Sequence, residues 1–133
     1  MNSFSGQIDQ IESSGNISIV SVRIGEGVVI KSVIIDTEET APYLAKATAV
    51  KTLFKETEVI LSLEENPSIS LQNKISGTII ALEQGALLSR IEVQTLYGNL
   101  VSIISSNAVK TLKLDVGTQV TAMIKLNEIT LAP

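Results

Sequence analysis

Ala49-Val50-Lys51-Thr52-Leu53 occurs a second time, unchanged, as Ala108-Val109-Lys110-Thr111-Leu112, which indicates that this chain of 133 residues carries one module twice. Five early residues also find the same residue type 71 positions later: Asn2, Ser5, Gly6, Ile8 and Glu12. The two pentapeptides lie only 59 positions apart, which would give the first copy 12 additional residues before its pentapeptide. We therefore predict two homologous modules, at 1–65 and 66–133, with an insertion at 37–48 in the first.

Both modules have the pattern of β-strands, because apolar residues alternate with polar ones or form short β-branched runs. In Gly25-Glu26-Gly27, glycine permits the positive φ that a hairpin turn needs. Strands are expected at 4–11, 17–24, 28–35, 57–63, 74–82, 87–96, 100–104, 119–125 and 128–131. Short strands with a short helix in each module predict an all-β fold with short helices, built as two tandem, five-stranded OB-like barrels.

Each pentapeptide is predicted to form a short helix. Thr48 precedes the first copy, and Ser106 or Asn107 precedes the second, and all three are favourable N-cap residues. In the inserted segment 37–48, Pro42 closely follows a threonine, an arrangement typical of a helix start. We therefore expect one inserted helical segment there as well.

The composition limits the chemistry that this chain can perform. It contains no Cys and no His, so disulfides and thiolate metal sites are excluded, and the commonest general base is missing. No nucleophile–base pattern, glycine-rich phosphate loop or zinc-ligand spacing is present, so we predict that the protein is not an enzyme and binds no metal ion through side chains. No apolar run approaches the ~20 residues of a membrane helix, and no signal peptide is recognisable, so we expect a cytoplasmic protein without a membrane partner.

The formal net charge is −4, which argues against a protein that binds nucleic-acid backbones through many Lys and Arg contacts. Two Phe, two Tyr and no Trp also provide few rings on which single-stranded bases could stack. We therefore expect no nucleic-acid partner for this chain alone. A local anion site is compatible with the negative charge, because a few well-aimed N–H groups can bind an anion.

Three segments of the second module resemble the Mop domain, a molybdate- and tungstate-binding domain of the TOBE type. Ser70-Leu71-Gln72-Asn73-Lys74-Ile75-Ser76-Gly77 is similar to the family opening Ser-Ala-Arg-Asn-x-x-x-Gly. The segment from Ile104 to Leu112 is similar to Ile-Thr-x-x-Ser-Val-Lys-x-Leu, and Val120 to Lys125 to the closing Val-x-Ala-x-Ile-Lys. The likeness covers 70–131 and extends more weakly to 2–64. A tandem of two copies is similar to the molbindins and to the C-terminal half of molybdate-responsive transcription regulators.

The resemblance implies a tetrahedral oxyanion, molybdate or tungstate, held at interfaces between modules by hydroxyls, N–H groups and one or two cations. It places the oxyanion-binding residues at Ser70, Gln72, Asn73, Ser105, Ser106 and Lys125. Gln72 stands where the family has an arginine, and in the first module Glu64 takes the place of the closing lysine. Lys31 and Ser32, set among apolar residues, are a further candidate cationic site. Each candidate also has an ordinary role open to it, on the polar face of an edge strand, as an N-cap or as a solvated strand residue.

The function that the resemblance favours is binding of molybdate or tungstate for intracellular storage or homeostasis. The alternative is a ligand-sensing or regulatory half of a larger transcription regulator or transporter ATPase, with degenerate sites. An OB barrel for single-stranded nucleic acid and a structural module without a ligand are further alternatives. Two small barrels rich in aliphatic side chains leave apolar faces to cover, so a homo-oligomer, a trimer or a dimer, is expected.

Overall fold

The computed structural model describes residues 1–133 and consists of two five-stranded antiparallel sheets. The strands are β1 (Asn2–Ser14), β2 (Ile17–Gly25), β3 (Val28–Ile34), β4 (Ala49–Phe54), β5 (Ile60–Ser62), β6 (Asn73–Gln84), β7 (Leu88–Thr95), β8 (Gly98–Ser105), β9 (Gln119–Ile124) and β10 (Thr130–Ala132). The helices are α1 (Ser106–Leu112) and two 3₁₀ helices (Glu56–Glu58 and Leu126–Glu128). The all-β prediction with short helices is confirmed. No helix is long and apolar enough to cross a membrane.

The last strand of each half belongs to the sheet of the other half. The sheet orders are β10-β4-β1-β2-β3 and β5-β9-β6-β7-β8. Leu131 of β10 pairs with Thr52 of β4, and Leu61 of β5 pairs with Ala122 of β9. The sequence modules at 1–65 and 66–133 therefore exchange their final strands, so sequence modules and sheets do not coincide strand for strand. Separating the halves would break both sheets.

The two halves have the same architecture and differ by one residue in length. Asn2 pairs with Phe54 and Asn73 pairs with Ile124, and in each half a 3₁₀ helix begins two residues after that pair. Equivalent residues are 71 positions apart in the first two strands of each half and 70 apart from the third strand onward. The additional residue of the first half lies in the turn between β2 and β3. The predicted insertion of 12 residues is therefore wrong.

The segment 37–48 forms a series of turns, so the prediction of an inserted helix there is wrong as well. The N–H of Ala47 donates to the carbonyl of Ile8 at 2.7 Å, and the N–H of Gly117, in the loop after α1, donates in the same way to Ile79 at 2.8 Å. This segment is thus the counterpart of α1 and its following loop. Pro42 lacks the N–H that a helix interior needs, and the Thr40 hydroxyl accepts from the N–H of Thr37 and donates to its carbonyl instead.

The two pentapeptides occupy different elements. Ala108–Leu112 lies in α1, as predicted, whereas Ala49–Leu53 lies in β4, so the helix predicted for the first copy is wrong. The structural counterpart of β4 is β9, because both pair with the first strand of their half. The repeat is real, but its correct alignment does not pass through the pentapeptides.

The long strands β1 and β6 each contain an irregularity that bends the strand and strengthens its twist. A β-bulge interrupts each strand, between Ile8 and Gln10 in β1 and between Ile79 and Ala81 in β6. Just before the second bulge, a Cβ at Gly77 would lie 2.7 Å from the carbonyl oxygen of Gln94, so only glycine permits this approach. The two sheets pack around one cluster of 23 buried apolar residues drawn from both halves.

Candidate functional site

Asn73, at the start of β6, binds the backbone of an edge strand through its side chain. The Asn73 side chain is buried, its Nδ2 donates to the carbonyl of Lys31 at 2.9 Å, and its Oδ1 accepts from the N–H of Lys31 at 2.7 Å. The carboxamide thus makes the pair of hydrogen bonds that a neighbouring strand would make. This contact fixes Lys31, on the edge strand β3 of the other sheet, beside the first residue of β6.

Two further candidates lie next to this contact. Asn73 and Ile124 form the last pair between β6 and β9, so Gln72 and Lys125 are the residues immediately beyond it. Gln72 and Lys125 are exposed, and the 3₁₀ helix that follows Lys125 contacts β3. Lys31, Gln72, Asn73 and Lys125 are therefore brought together, and we call this group the Asn73 station. Neither lysine takes part in an ion pair, since the ion pairs of the chain are Met1–Glu56 and Arg23–Asp9.

The first half contains an equivalent arrangement around Asn2, which was not predicted as a site residue. Asn2 Nδ2 donates to the carbonyl of Val101 at 2.8 Å, and its Oδ1 accepts from the N–H of Val101 at 2.8 Å. Lys55 precedes the first 3₁₀ helix as Lys125 precedes the second. We call Asn2, Lys55 and Val101 the Asn2 station.

The counterpart of the closing lysine in the first half is therefore Lys55, and the assignment of Glu64 is wrong. The identical pentapeptides align the two halves in the wrong register, since they lie 59 positions apart and equivalent residues lie 70 or 71 apart. A signal for the correct alignment exists, because Lys55 and Lys125 both begin a Lys-x-x-Glu sequence that continues with Val or Ile.

Ser105 and Ser106 lie at the start of α1, away from the Asn73 station. Ser105 is the N-cap of α1 and its Oγ accepts from the N–H of Ala108 at 3.1 Å. Ser106 is buried, and its Oγ lies 2.7 Å from the carbonyl of Gly85 and 2.7 Å from Ser89 Oγ. These contacts lie at the end of β6 that is opposite to Asn73. The strand has 12 residues, which would span on the order of 40 Å if it were straight. No hydrogen bond joins the two groups.

The remaining two candidates differ in accessibility. Ser70 is exposed in the segment before β6, two residues ahead of Gln72, and so lies close to the Asn73 station in sequence. Ser32 is fully buried and its Oγ donates to the carbonyl of Ile129 at 2.7 Å. This bond attaches β3 to the residue before β10, and it occupies the hydroxyl hydrogen of Ser32.

Comparison with known proteins identifies the family. A model of the TOBE domain matches residues 69–131. Molybdenum-pterin-binding protein 1 of Clostridium pasteurianum is 32% identical over 63 residues, which are 47% of this chain and 93% of the relative. The chain belongs to the TOBE domain family. The TOBE match falls on the second half, which contains three of the four residues of the Asn73 station: Gln72, Asn73 and Lys125.

The whole TOBE tandem has a structural neighbour. The cytoplasmic molybdate-binding protein ModG, in a crystal form with molybdate bound, superposes with a TM-score of 0.88 and 23% sequence identity, covering 98% of this chain and 94% of that one. At this identity the likeness concerns the fold, and it confirms the prediction of two tandem, OB-like, five-stranded units of the Mop type.

The Asn73 station of this TOBE tandem offers positive charge and hydrogen-bond donors. Neither Lys31 nor Lys125 has an acidic partner, and the exposed Gln72 adds a neutral amide donor to the group. Such a set can hold a small anion with two negative charges, since a charge-assisted hydrogen bond is roughly twice as strong as a neutral one.

Proposed function

We propose that this protein binds molybdate or tungstate as an intact oxyanion, for storage or homeostasis in the cytoplasm. The observation that carries the proposal is the double hydrogen bond of Asn73, which holds the backbone of Lys31 beside Gln72 and Lys125. The printed descriptions of the relatives, a molybdenum-pterin-binding protein and a molybdate-bound ModG, support this choice of anion.

The chemistry of the station suits a tetrahedral dianion. The two ammonium groups balance its charge, and the Gln72 amide and the Ser70 hydroxyl are available as neutral donors. An amide at position 72 is a weaker donor than the arginine of the Mop motif, because it lacks both the charge and the two-pronged geometry. The lysines therefore carry most of the binding energy, and affinity falls as salt is added.

Ser105 takes part in a site only if a second chain supplies it. Within one chain it lies at the opposite end of β6 from the Asn73 station, next to exposed apolar side chains. Leu88, which pairs with Ser105, is 60% exposed, and Leu87 is 82% exposed. We therefore propose a homo-oligomer, a trimer or a dimer, in which these leucines are covered and Ser105 of one chain approaches the Asn73 station of another.

Calorimetric titration tests the binding proposal. Molybdate and tungstate should bind, and sulfate should bind much more weakly. Lys125→Ala removes one charge-assisted hydrogen bond, so affinity should fall about 10- to 150-fold, which corresponds to roughly 1.5–3 kcal/mol. Lys51→Ala is the matched control, because Lys51 is an exposed lysine of β4 outside both stations and should bind like the parent.

Two outcomes contradict the proposal. One is the absence of binding heat and of any rise in melting temperature with both oxyanions at millimolar concentration. The other is a Lys125→Ala variant with the affinity of the parent. Light scattering tests the oligomer separately, and a mass near 14.2 kDa at micromolar concentration would exclude it.

A further inference from the structure

The two stations have the same backbone arrangement. In each, an asparagine carboxamide makes two hydrogen bonds to the backbone of one residue in an edge strand, Lys31 of β3 or Val101 of β8. In each, a lysine precedes a 3₁₀ helix. A difference in anion affinity between the stations must therefore come from side chains.

The side chains at the two edge-strand positions differ in charge. Lys31 pairs with Ser21 across β2 and β3, whereas Val101 pairs with Glu92 across β7 and β8. Directly paired residues project to the same face of a sheet, with Cβ atoms roughly 4.5–5.5 Å apart. The Asn73 station thus has a cation beside a neutral hydroxyl, and the Asn2 station has an apolar side chain beside a carboxylate.

The neighbouring charges do not remove this difference. Arg90 lies two residues from Glu92 on the same face of β7 and offsets its charge in part. Glu56 follows Lys55, and it pairs with the N-terminal ammonium at 2.9 Å, so these two groups cancel. Glu58 and Glu128 hold equivalent positions in the two 3₁₀ helices and affect both stations alike. The Asn73 station therefore keeps one more positive charge, that of Lys31.

We infer that the two stations are unequal binding sites, that the oxyanion fills the Asn73 station first, and that Lys31 sets this order. The inference rests on the proposed function and adds which site is occupied and which residue decides it. The extra cation makes the Asn73 station tighter by about tenfold or more, the effect of one charge-assisted contact.

The order of filling can be measured in the parent protein by following backbone amide NMR signals of ¹⁵N-labelled chain during a molybdate titration. The amide of Lys31 should shift with the first portions of molybdate, and that of Val101 only at about tenfold higher free concentration. This experiment requires no variant, and it observes the two stations separately.

An exchange of side chains between the stations tests the role of Lys31. Lys31→Val keeps both hydrogen bonds to Asn73, because they involve only the backbone of residue 31, and valine is a favourable strand residue. This variant should lose the early-filling site and show one weak class of sites. Val101→Lys combined with Glu92→Ser should instead give two tight sites, and Lys51→Ala should fill like the parent.

The possible failures are distinguishable. If the parent binds molybdate but both amides shift together, or if Lys31→Val fills in the parent's order, this inference is overturned and the proposed function stands. If no variant and no parent binds molybdate or tungstate, the proposed function falls, and this inference with it.

Discussion

Replacing Asn73 with alanine should destabilise the protein by about 3–5 kcal/mol. The Asn73 side chain is 1% exposed and makes hydrogen bonds of 2.7 and 2.9 Å to one residue of β3. Each bond contributes roughly 1 kcal/mol net, and the N–H and C=O of Lys31 that lose their partner add a desolvation cost of about 1–3 kcal/mol in all. In the variant, the backbone N–H and C=O of Lys31, in the middle of the edge strand β3, have no hydrogen-bond partner from Asn73.

Urea denaturation followed by far-ultraviolet circular dichroism, at one fixed protein concentration, measures this loss. Asn99→Ala is the matched control, because Asn99 is exposed on β8 and its side chain makes only a 3.5 Å contact to Glu92. The control should change the free energy of unfolding by less than about 0.5 kcal/mol. Asn2→Ala, at the equivalent position of the other half, should behave like Asn73→Ala.

A loss below about 0.5 kcal/mol in Asn73→Ala would refute the reasoning. It would mean that water replaces the carboxamide at no cost and that these hydrogen bonds do not hold the station together. The slope of free energy against urea should stay unchanged, because the surface exposed on unfolding stays the same.

Two further predictions concern the backbone. Gly77→Ala should lower the free energy of unfolding by about 1–3 kcal/mol, because its Cβ would lie 2.5 Å from Val93 Cγ1 and 2.7 Å from the carbonyl oxygen of Gln94. Thermal melting measures this loss, and an unchanged melting temperature would contradict the close approach. Ala47→Gly should instead stabilise the chain by about 0.5–1 kcal/mol, because Ala47 has a φ of 68° where its counterpart is Gly117; a lower urea midpoint would contradict this.

Most strands were predictable from the sequence, because alternating burial leaves a local pattern. The exchange of final strands was not predictable from such patterns. β5 and β10 have three residues each. The sequence of so short a strand does not indicate which strand it pairs with. The partner is fixed by contacts between residues far apart in the chain, such as Leu61 with Ala122.

The candidate site was predictable only in part for the same reason. Gln72 and Lys125 both lie just beyond the pair formed by Asn73 and Ile124, so two of the residues proposed from the resemblance to an anion-binding motif are neighbours, and their role in binding stays a prediction. Lys31 lies at the site because the Asn73 side chain forms hydrogen bonds with it across 42 residues of sequence. A local sequence pattern cannot predict such a long-range contact. The sequence does not point to Lys55, because the identical pentapeptides are a stronger signal than the Lys-x-x-Glu correspondence.

The pentapeptide itself explains why identity was misleading. Its sequence is compatible with either period, because Val and Thr at the second and fourth positions share one face of a strand, and Val and Leu at the second and fifth share one face of a helix. In β4 the buried residues are Val50, Thr52 and Phe54, at a period of two. In α1, Ser106 and Val109 are buried three residues apart, in a helical spacing.

The flanking residues and the tertiary partners decide between these two structures. Phe54 continues the alternation of the first copy, and β1 and β10 supply a partner on each side of β4. The second copy begins after the N-cap Ser105 and ends at Lys113, whose φ of 55° lets the N–H of Leu114 bond to Val109 at 3.0 Å. Five identical residues therefore do not determine a structure here, and equivalence between the halves follows from which strand each segment pairs with.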